Sequence, residues 1–502
     1  MLLLRLLHDA GIVLPDRASA VTTEVGAIRY DSRAVEPGDV FVAVRGTTTD
    51  GHQHVASAVA AGASLVVVED EPASDIAVPC VRVRSSRLAL ADLAAARSGY
   101  PAKHLHVTGI TGTDGKTTST FLLSHVLAGM GYETGLLSTV AFKIGDRWEQ
   151  NKYRQSTLES PEVQTTLARM VEARVSDAIV EATSHGLALN RVRNCAFDDA
   201  IVTNITSEHL EFHGTREEYM AAKALLLRAV RDNDYKRGRR FAAVNLDDEG
   251  AASLIPNSPV DVVTFGMSNQ AEVRAKDVDC GATGSTFTLI AGQRRFQVRT
   301  GIPGLFNVYN SLGVIALLHG RGVDLDAALP HIATFDGVPG RMKRVDAGQS
   351  FSVVVDYAHT AASLEKVLTT LRPLTSGRLL VVFGSAGDRD REKRPVMGNV
   401  AARLADFSIF TDEDPRMEPS AQILDEIAAG ARSAGAVAGR DFEIIADRRS
   451  AIHSGIALAE PGDVVLLAGK GHEQSMLVAG SSLPWDEESV AREALRGLGY
   501  GR

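Results

Sequence analysis

A recurrence of short, nearly continuous apolar runs, each closed by small or polar residues and followed by a helical stretch, constrains this chain more than any other feature. In the middle third the runs are His106–Thr111, Asp177–Glu181, Ala200–Asn204 and Phe241–Asn245. In the last third they are Phe351–Asp356, Arg378–Gly384, Phe407–Thr411 and Asp463–Gly469. A strand with one wet face alternates apolar and polar residues. A continuous run instead marks a strand buried on both faces of a parallel sheet. Helical periods between the runs, such as Ala361–Leu371 and Ser420–Ala431, supply the crossovers. Two separate α/β domains follow.

The chain has 502 residues, and at ~100–200 residues per domain it should hold roughly three. Residues 1–100 carry shorter β-like runs (Asp39–Val44, Ser64–Glu69) and an Ala-rich helical stretch at Leu88–Arg97, closed by Tyr100-Pro101. Gly337-Val338-Pro339-Gly340 separates the middle from the last third. The expected division is therefore 1–100, 101–336 and 337–502, the last two being the α/β domains.

A net charge of −9 leaves no broad basic field for nucleic acid or an anionic membrane. Cys80, Cys195 and Cys280 are far apart, which argues against a disulfide framework or a structural zinc site and fits a reducing compartment. Arg5, His8 and Asp9 interrupt the apolar opening Met1–Leu4 before a leader's core can form. No window offers the ~20 apolar residues of a membrane span.

Thr111-Gly112-Thr113-Asp114-Gly115-Lys116-Thr117-Thr118 follows a predicted strand and opens a predicted helix through Thr120–Leu127. Such a turn presents backbone N–H groups at a helix N-terminus, where they bind phosphate oxygens. Lys116 would reach the β- and γ-phosphates, and the Thr117 hydroxyl would ligate Mg²⁺. Ile110 stands where the usual motif has its first glycine.

Further strand ends carry groups suited to a nucleotide–metal site. Glu181 closes one run and Asn204 the next, and His209 and His213 follow in Thr206–Gly214. Ligands of open α/β sheets gather outside the carboxyl ends of the strands. Taken singly, Glu181 could be a helix-start charge and either histidine a hydrogen-bonded loop residue. Thr215-Arg216-Glu217-Glu218 reads as a capping box, so a helix runs on through Tyr219–Val230. Lys223 lies on it among alanines, where a solvated helix lysine is the ordinary reading.

Together these segments resemble the ATP-dependent Mur ligases. The resemblance is carried by Gly112–Thr118, Glu181-Ala-Thr-Ser-His-Gly186, Asn204 with Glu208–Gly214, Ala221-Ala-Lys223, Gly304-Leu-Phe-Asn307 with Asn310, Gly337–Met342 and Asp356–Thr360. Asp31-Ser32-Arg33, Pro37–Ala43, Gly46–Gly51, Phe383–Pro395 and Ala468-Gly-Lys-Gly-His-Glu473 narrow it to the MurE type. The match spans essentially the whole chain, in order.

The resemblance implies a small N-terminal α/β domain for the uridine end of UDP-N-acetylmuramoyl-L-alanyl-D-glutamate, a central P-loop-type parallel-sheet ATPase domain and a C-terminal Rossmann-like domain for a free diamino acid. It also implies a bacterial cytoplasmic setting, and a monomer is expected. ATP would phosphorylate the glutamate γ-carboxylate, and the amine of the third residue would attack the acyl phosphate. Tyr30, Ser32, Thr47, Thr48 and Thr49 would contact the uridine diphosphate. Gln155, Ser156, Thr157, Thr183 and Arg191 would face the muramoyl peptide. Gly112–Thr118, Asn204, Asn307 and Arg341 would hold ATP. Thr117, Glu181, His209 and Lys223 would hold Mg²⁺, with Lys223 carbamylated. Lys116, Glu181, His209 and Lys223 form the catalytic set.

Arg389, Glu413, Asp414, Pro415, Arg416, Gly469 and Glu473 would receive the amino acid. The family's meso-diaminopimelate motif is Asp-Asn-Pro-Arg, and the matching residues are Glu413-Asp414-Pro415-Arg416. Arg416 suits a distal carboxylate. Asp414 replaces an amide by a group that only accepts, and the added acidity favours a bare ammonium, as in L-lysine or L-ornithine. Asp114 replaces the asparagine usual in the phosphate loop, and Leu189 stands where a glutamine often touches substrate. The rival readings are a MurF-type or folylpolyglutamate synthetase-like ligase, or a non-catalytic nucleotide-binding relative.

Overall fold

The computed structural model describes residues 1–13, 24–46, 49–71, 76–153, 155–206, 208–233, 235–281 and 284–501. The chain divides into two compact units: Met1–Ala275 with Ile290–Arg295 and Tyr309–His331, and Lys276–Leu289 with Phe296–Val308 and Ile332–Arg502.

The first unit opens with a parallel sheet of β1 (Ile28–Arg29), β2 (Val40–Val42), β3 (Leu65–Val68) and β4 (Cys80–Arg82), in that order. Both faces are covered. Val40, Val42, Leu65 and Val67 pack on one side, and Phe41, Ala43, Val66 and Val68 on the other.

A second sheet in this unit runs β12-β11-β10-β5-β9-β6-β7-β8. Its strands are β5 (His106–Thr111), β6 (Thr134–Leu137), β7 (Ala141–Ile144), β8 (Arg147–Gln150), β9 (Asp177–Glu181), β10 (Asp199–Val202), β11 (Phe241–Asn245) and β12 (Asp261–Gly266). β12 to β6 are parallel, and β7 and β8 continue antiparallel. Ile110 aligns with both Glu181 and Ile201, so the ends of β5, β9 and β10 lie side by side. β10 ends at Val202, two residues before the expected end at Asn204. β13 (Val273–Gly281) begins beside β12, and β14 (Gly284–Ala291) and β15 (Arg294–Thr300) follow.

The second unit carries β16 (Lys343–Val345), β17 (Ser352–Asp356), β18 (Leu379–Phe383), β19 (Phe407–Phe410), β20 (Phe442–Ile444) and β21 (Val464–Ala468) in the order β16-β17-β21-β18-β19-β20. Only β16 is antiparallel to its neighbour. Alternate residues feed two cores: Val354, Val381, Phe383, Phe410 and Leu466 on one face, and Val353, Val355, Val382, Ile409 and Leu467 on the other. That is the doubly wound arrangement read from the continuous apolar runs. The ends of β18, β19 and β21 lead directly into three segments that hold expected binding residues, at residues 384–389, 411–416 and 469–473, and the end of β17 leads into the motif residues 357–360. A short hairpin of β22 (Ser475–Val478) and β23 (Ser481–Pro484) follows.

Candidate active site

The phosphate loop is built by two glycines and a helix start. Gly112 has φ +152°, and a Cβ there would lie 1.8 Å from Thr203 Oγ1. Gly115, at φ +83°, is the N-cap of the helix Lys116–Gly129, and its Cβ would lie 2.2 Å from Asn310 Oδ1. Only glycine allows both the left-handed turn and these approaches. Asn204 braces the loop, accepting from Asp114 N at 2.8 Å and donating to its carbonyl at 3.2 Å. Asp114 itself is exposed.

Two lysines converge on one carbonyl. Lys116 Nζ donates to Gly112 O at 3.0 Å and to Thr113 O at 2.7 Å, and Lys223 Nζ donates to the same Gly112 O at 2.7 Å. Lys223 is 1% exposed, so the solvated reading of this helix lysine fails. The helix Arg216–Arg231 starts under Thr215 Oγ1, which accepts from Glu218 N at 3.1 Å. Helical phase then turns Lys223 inward with Tyr219 and Leu227. Burial, reinforced by the charge of Lys116, pushes the Lys223 amine down to about 6. Near neutral pH it is largely a free base, the form in which a nitrogen lone pair can attack.

Glu181, 2% exposed at the end of β9, accepts from Thr117 Oγ1 at 3.1 Å and from Thr139 N and Oγ1 at 3.0 Å each. Thr139 escaped the sequence reading because nothing local marks it; it reaches Glu181 from the turn after β6. His209 has φ +57°, and its ring packs edge-on against His185 at 4.7 Å. Among the described residues no group of three or more His, Cys, Asp or Glu is placed to hold a metal. The expected set contains only two residues of those types, Glu181 and His209. Of its donors, the Glu181 carboxylate and the Thr117 hydroxyl are oxygen groups of the hard type that Mg²⁺ takes, as a carbamate on Lys223 would be, whereas the His209 imidazole is a nitrogen donor of the borderline type. Asn307, in the second unit, is buried and donates to Pro303 O at 2.7 Å.

Thr157 joins the residues expected to face the peptide to Glu181. Its Oγ1 donates to Glu181 O at 2.8 Å and accepts from Thr183 N and Oγ1 at 3.0 Å. Arg191 donates to Thr157 O at 3.1 Å and pairs with Glu159 at 2.8 Å. Glu159, 6% exposed, also receives Arg87 of the helix Ser86–Arg97 at 2.7 Å. Arg87–Glu159–Arg191 thus ties the N-terminal segment to the central one, helped by Arg193 and Asn194 on Asp92, each at 2.8 Å. Sequence reasoning missed Glu159, whose partners lie 72 residues before it and 32 after it in the chain.

Beside this junction a cleft of about 1110 Å³ is lined by Tyr30, Asp31, Lys152, Tyr153, Glu162 and Arg169, among others. Tyr30 donates to Glu162 at 3.2 Å, and burial raises both groups above their ordinary values. Ser32 opens the 3₁₀ turn Ser32–Ala34, and Thr49 Oγ1 lies 3.3 Å from His54 Nε2. Gln155 is exposed and Ser156 half-buried. Thr47 and Thr48 lie outside the described residues.

In the second unit the expected amino-acid segments come together. Asp414 Oδ1 accepts from Lys470 Nζ at 2.8 Å and from Leu477 N at 3.0 Å. Lys470 also reaches Glu473 Oε2 at 2.6 Å. The acidity expected of Asp414 is therefore balanced inside the loops by a lysine 56 residues on in the chain, a correction to the sequence argument for a bare ammonium. Glu413 is 6% exposed; burial pushes it up to about 7, with Lys393, Arg448 and Lys470 opposing. Its Oε2 has no hydrogen-bond partner among the described residues, and a Cβ on Gly469 would meet it at 3.4 Å. Arg416 follows Pro415 at φ +54°, and its Nε is likewise buried without a partner. Arg389 is exposed. Arg341 lies over the Tyr357 ring at 5.1 Å, and Tyr357 donates to Glu473 Oε1 at 3.4 Å.

A parallel sheet with a lysine-bearing phosphate loop, in a chain that also builds a doubly wound sheet with charged loops at its strand ends, defines an α/β nucleotide-using enzyme. Family models match in chain order: "Mur ligase family, catalytic domain" over residues 24–98, "Mur ligase middle domain" over 110–318 and "Mur ligase, glutamate ligase domain" over 340–471. The chain is 46% identical over 497 residues to the UDP-N-acetylmuramyl-tripeptide synthetase of Roseiflexus sp. (strain RS-1), covering 97% of each. It is 38% identical to the UDP-N-acetylmuramoyl-L-alanyl-D-glutamate--2,6-diaminopimelate ligase of Bacillus cereus, covering 98% of this chain and 97% of that one. A solved UDP-N-acetylmuramoyl-L-alanyl-D-glutamate--2,6-diaminopimelate ligase superposes with a TM-score of 0.70 at 29% identity, covering 99% of each chain. The protein belongs to the Mur ligase family, and within it to the MurE type.

Replacing Glu159 with alanine should leave two half-buried guanidinium groups without their shared counter-ion and lower unfolding stability by about 3 kcal/mol or more. Denaturant titration of wild type and Glu159→Ala checks this; equal midpoints would mean that solvent already screens the triad.

Proposed function

We propose that this protein is an ATP-dependent ligase of peptidoglycan precursor synthesis that joins a diamino acid to the D-glutamate γ-carboxylate of UDP-N-acetylmuramoyl-L-alanyl-D-glutamate. The observation that carries the reading is the convergence of Lys116 and Lys223 on the phosphate loop beside buried Glu181. Full-length similarity to a tripeptide synthetase supports the substrate. The domains are proposed to divide at residues 100/101 and 336/337.

The glutamate carboxylate attacks the γ-phosphorus as the bond to ADP breaks. The amine then attacks the acyl phosphate, and inorganic phosphate leaves. Both reactants of the first step are anions, so the chain's part is neutralisation and positioning. Lys116 swings from its own loop carbonyls to the β- and γ-phosphates, and the N-terminus of Lys116–Gly129 supplies backbone donors. Thr117, Glu181, His209 and Lys223, once carbamylated, would hold Mg²⁺, whose charge neutralises the transferring phosphoryl group. Tyr30, Ser32 and Thr47–Thr49 would hold the uridine diphosphate, and Thr157, Thr183 and Arg191 the peptide. Arg341 would meet the nucleotide from the C-terminal domain.

For the third residue, the balance of Asp414 by Lys470 favours meso-diaminopimelate, with Arg416 on its distal carboxylate. Glu413 and Glu473 would face its ammonium groups. A MurF-type reading has no comparable support over the whole chain, and a non-catalytic relative would not need a buried, deprotonated Lys223.

Lys116→Ala should reduce phosphate release by ~10²–10³-fold while Tm stays near the wild-type value; near-normal turnover would remove the phosphate-loop assignment. Lys223→Ala should be inactive and partly restored by millimolar acetate or propionate, because a small acid can replace the carbamate. An active variant, or an unmodified lysine mass in active wild-type enzyme, would contradict the carbamate. In competition at equal concentrations, meso-diaminopimelate should be incorporated ahead of L-lysine, L-ornithine and L-alanine. A preference for L-alanine would refute the diamino-acid reading altogether.

A further inference from the structure

Lys470 is a residue that the proposed chemistry does not use. It is fully buried, and its ammonium makes three hydrogen bonds: to Asp414 Oδ1 at 2.8 Å, to Glu473 Oε2 at 2.6 Å and to Ser475 O at 2.7 Å. An ammonium has three protons to donate, so this one is fully committed within the protein. The three acceptors come from two segments, the loop after β19 and the loop after β21 that leads into β22.

The same junction is reinforced by main-chain bonds. Leu477 N donates to Asp414 Oδ1 at 3.0 Å, Arg416 N to Leu477 O at 2.8 Å, and Ala479 N to Arg416 O at 2.7 Å. Arg416 sits at φ +54°, a left-handed backbone that persists only where its surroundings over-determine it. Lys470 bonds both ends of this junction, Asp414 on the loop that carries Arg416 and Ser475 at the start of β22.

We infer that Lys470 is a positioning and specificity-determining residue: it clamps the two amino-acid loops together and cancels one carboxylate charge of the pair Asp414 and Glu473. With Lys470 in place, the pair presents one net negative charge rather than two, so a second carboxylate on the incoming amino acid is tolerated. Without it, both carboxylates stand uncompensated at the site. A side chain ending in an ammonium is then favoured over one ending in an ammonium and a carboxylate.

The inference rests on the reading that these loops hold the amino acid. Steady-state phosphate release by the full-length enzyme is measured with meso-diaminopimelate or L-lysine as the amino acid, varying the amino acid, ATP and UDP-muramoyl dipeptide in turn with the other two saturating. Lys470→Met should raise KM for meso-diaminopimelate about tenfold or more, the scale of a lost charged hydrogen bond, with KM for ATP unchanged. The kcat/KM ratio of L-lysine to meso-diaminopimelate should rise by a similar factor. Because Lys470→Met strands the buried Asp414 carboxylate and the half-buried Glu473 and can fail to fold, Lys470→Met/Asp414→Asn is made as well. Removing one of those charges should move the ratio back toward wild type.

An unchanged ratio in both variants, or equal rises in KM for all three substrates, would overturn the clamp. Arg416→Ala and Glu473→Gln separate the two claims. If these leave the amino-acid KM untouched, the loop assignment itself is wrong. If they raise it while Lys470→Met does not, only the role of Lys470 fails.

Discussion

The Gly112 carbonyl accepts hydrogen bonds from two lysine side chains that would repel each other if both were charged, and the phosphate loop is arranged around that crowding. One of them, Lys223, lies in a buried setting where charge is costly. The chain accommodates this by letting Lys223 lose its proton and by leaving Lys116 half-exposed on a loop of backbone donors. An arriving polyphosphate relieves the strain on Lys116. A carbamate on Lys223 would turn repulsion into attraction. The site is therefore least comfortable without its ligands, as a site built for anions should be.

That arrangement depends on sheet register. Ile110 aligns with Glu181 and with Ile201, so the phosphate loop, the Glu181 carboxylate and the Thr203–Asn204 brace emerge side by side. From Glu181 the order continues outward through Thr157 to Arg191 and Glu159, and across to Arg87. Arg191, proposed to face the acceptor peptide, is thus linked through Glu159 to Arg87 on the helix Ser86–Arg97. The second unit repeats the principle. The ends of its parallel strands deliver four loops, and Lys470 joins two of them.

The continuous apolar runs announced both parallel sheets, and the helices Ala361–Leu371 and Ser420–Ser433 lie where their periods placed them. The phosphate loop was equally legible, because Gly112, Gly115 and Lys116 act within a few residues of one another. Asn204 was placed in the right neighbourhood but shown as a brace of the loop backbone. Thr139 and Glu159 were not recognised as parts of the site, since their partners are distant in sequence and ordinary in composition.

What the sequence by itself determined is whatever local spacing encodes: strand burial, the glycine-dependent loop, helix caps and the family pattern of motifs. Tertiary structure alone decided charge. Lys223 reads as solvated from its alanine neighbours, yet helical phase buries it over Tyr219 and depresses its basicity. Asp414 reads as added acidity, yet a lysine 56 residues along the chain cancels it. Electrostatic energy depends on distance and on exclusion of water, and neither is a property of a residue's neighbours in the chain.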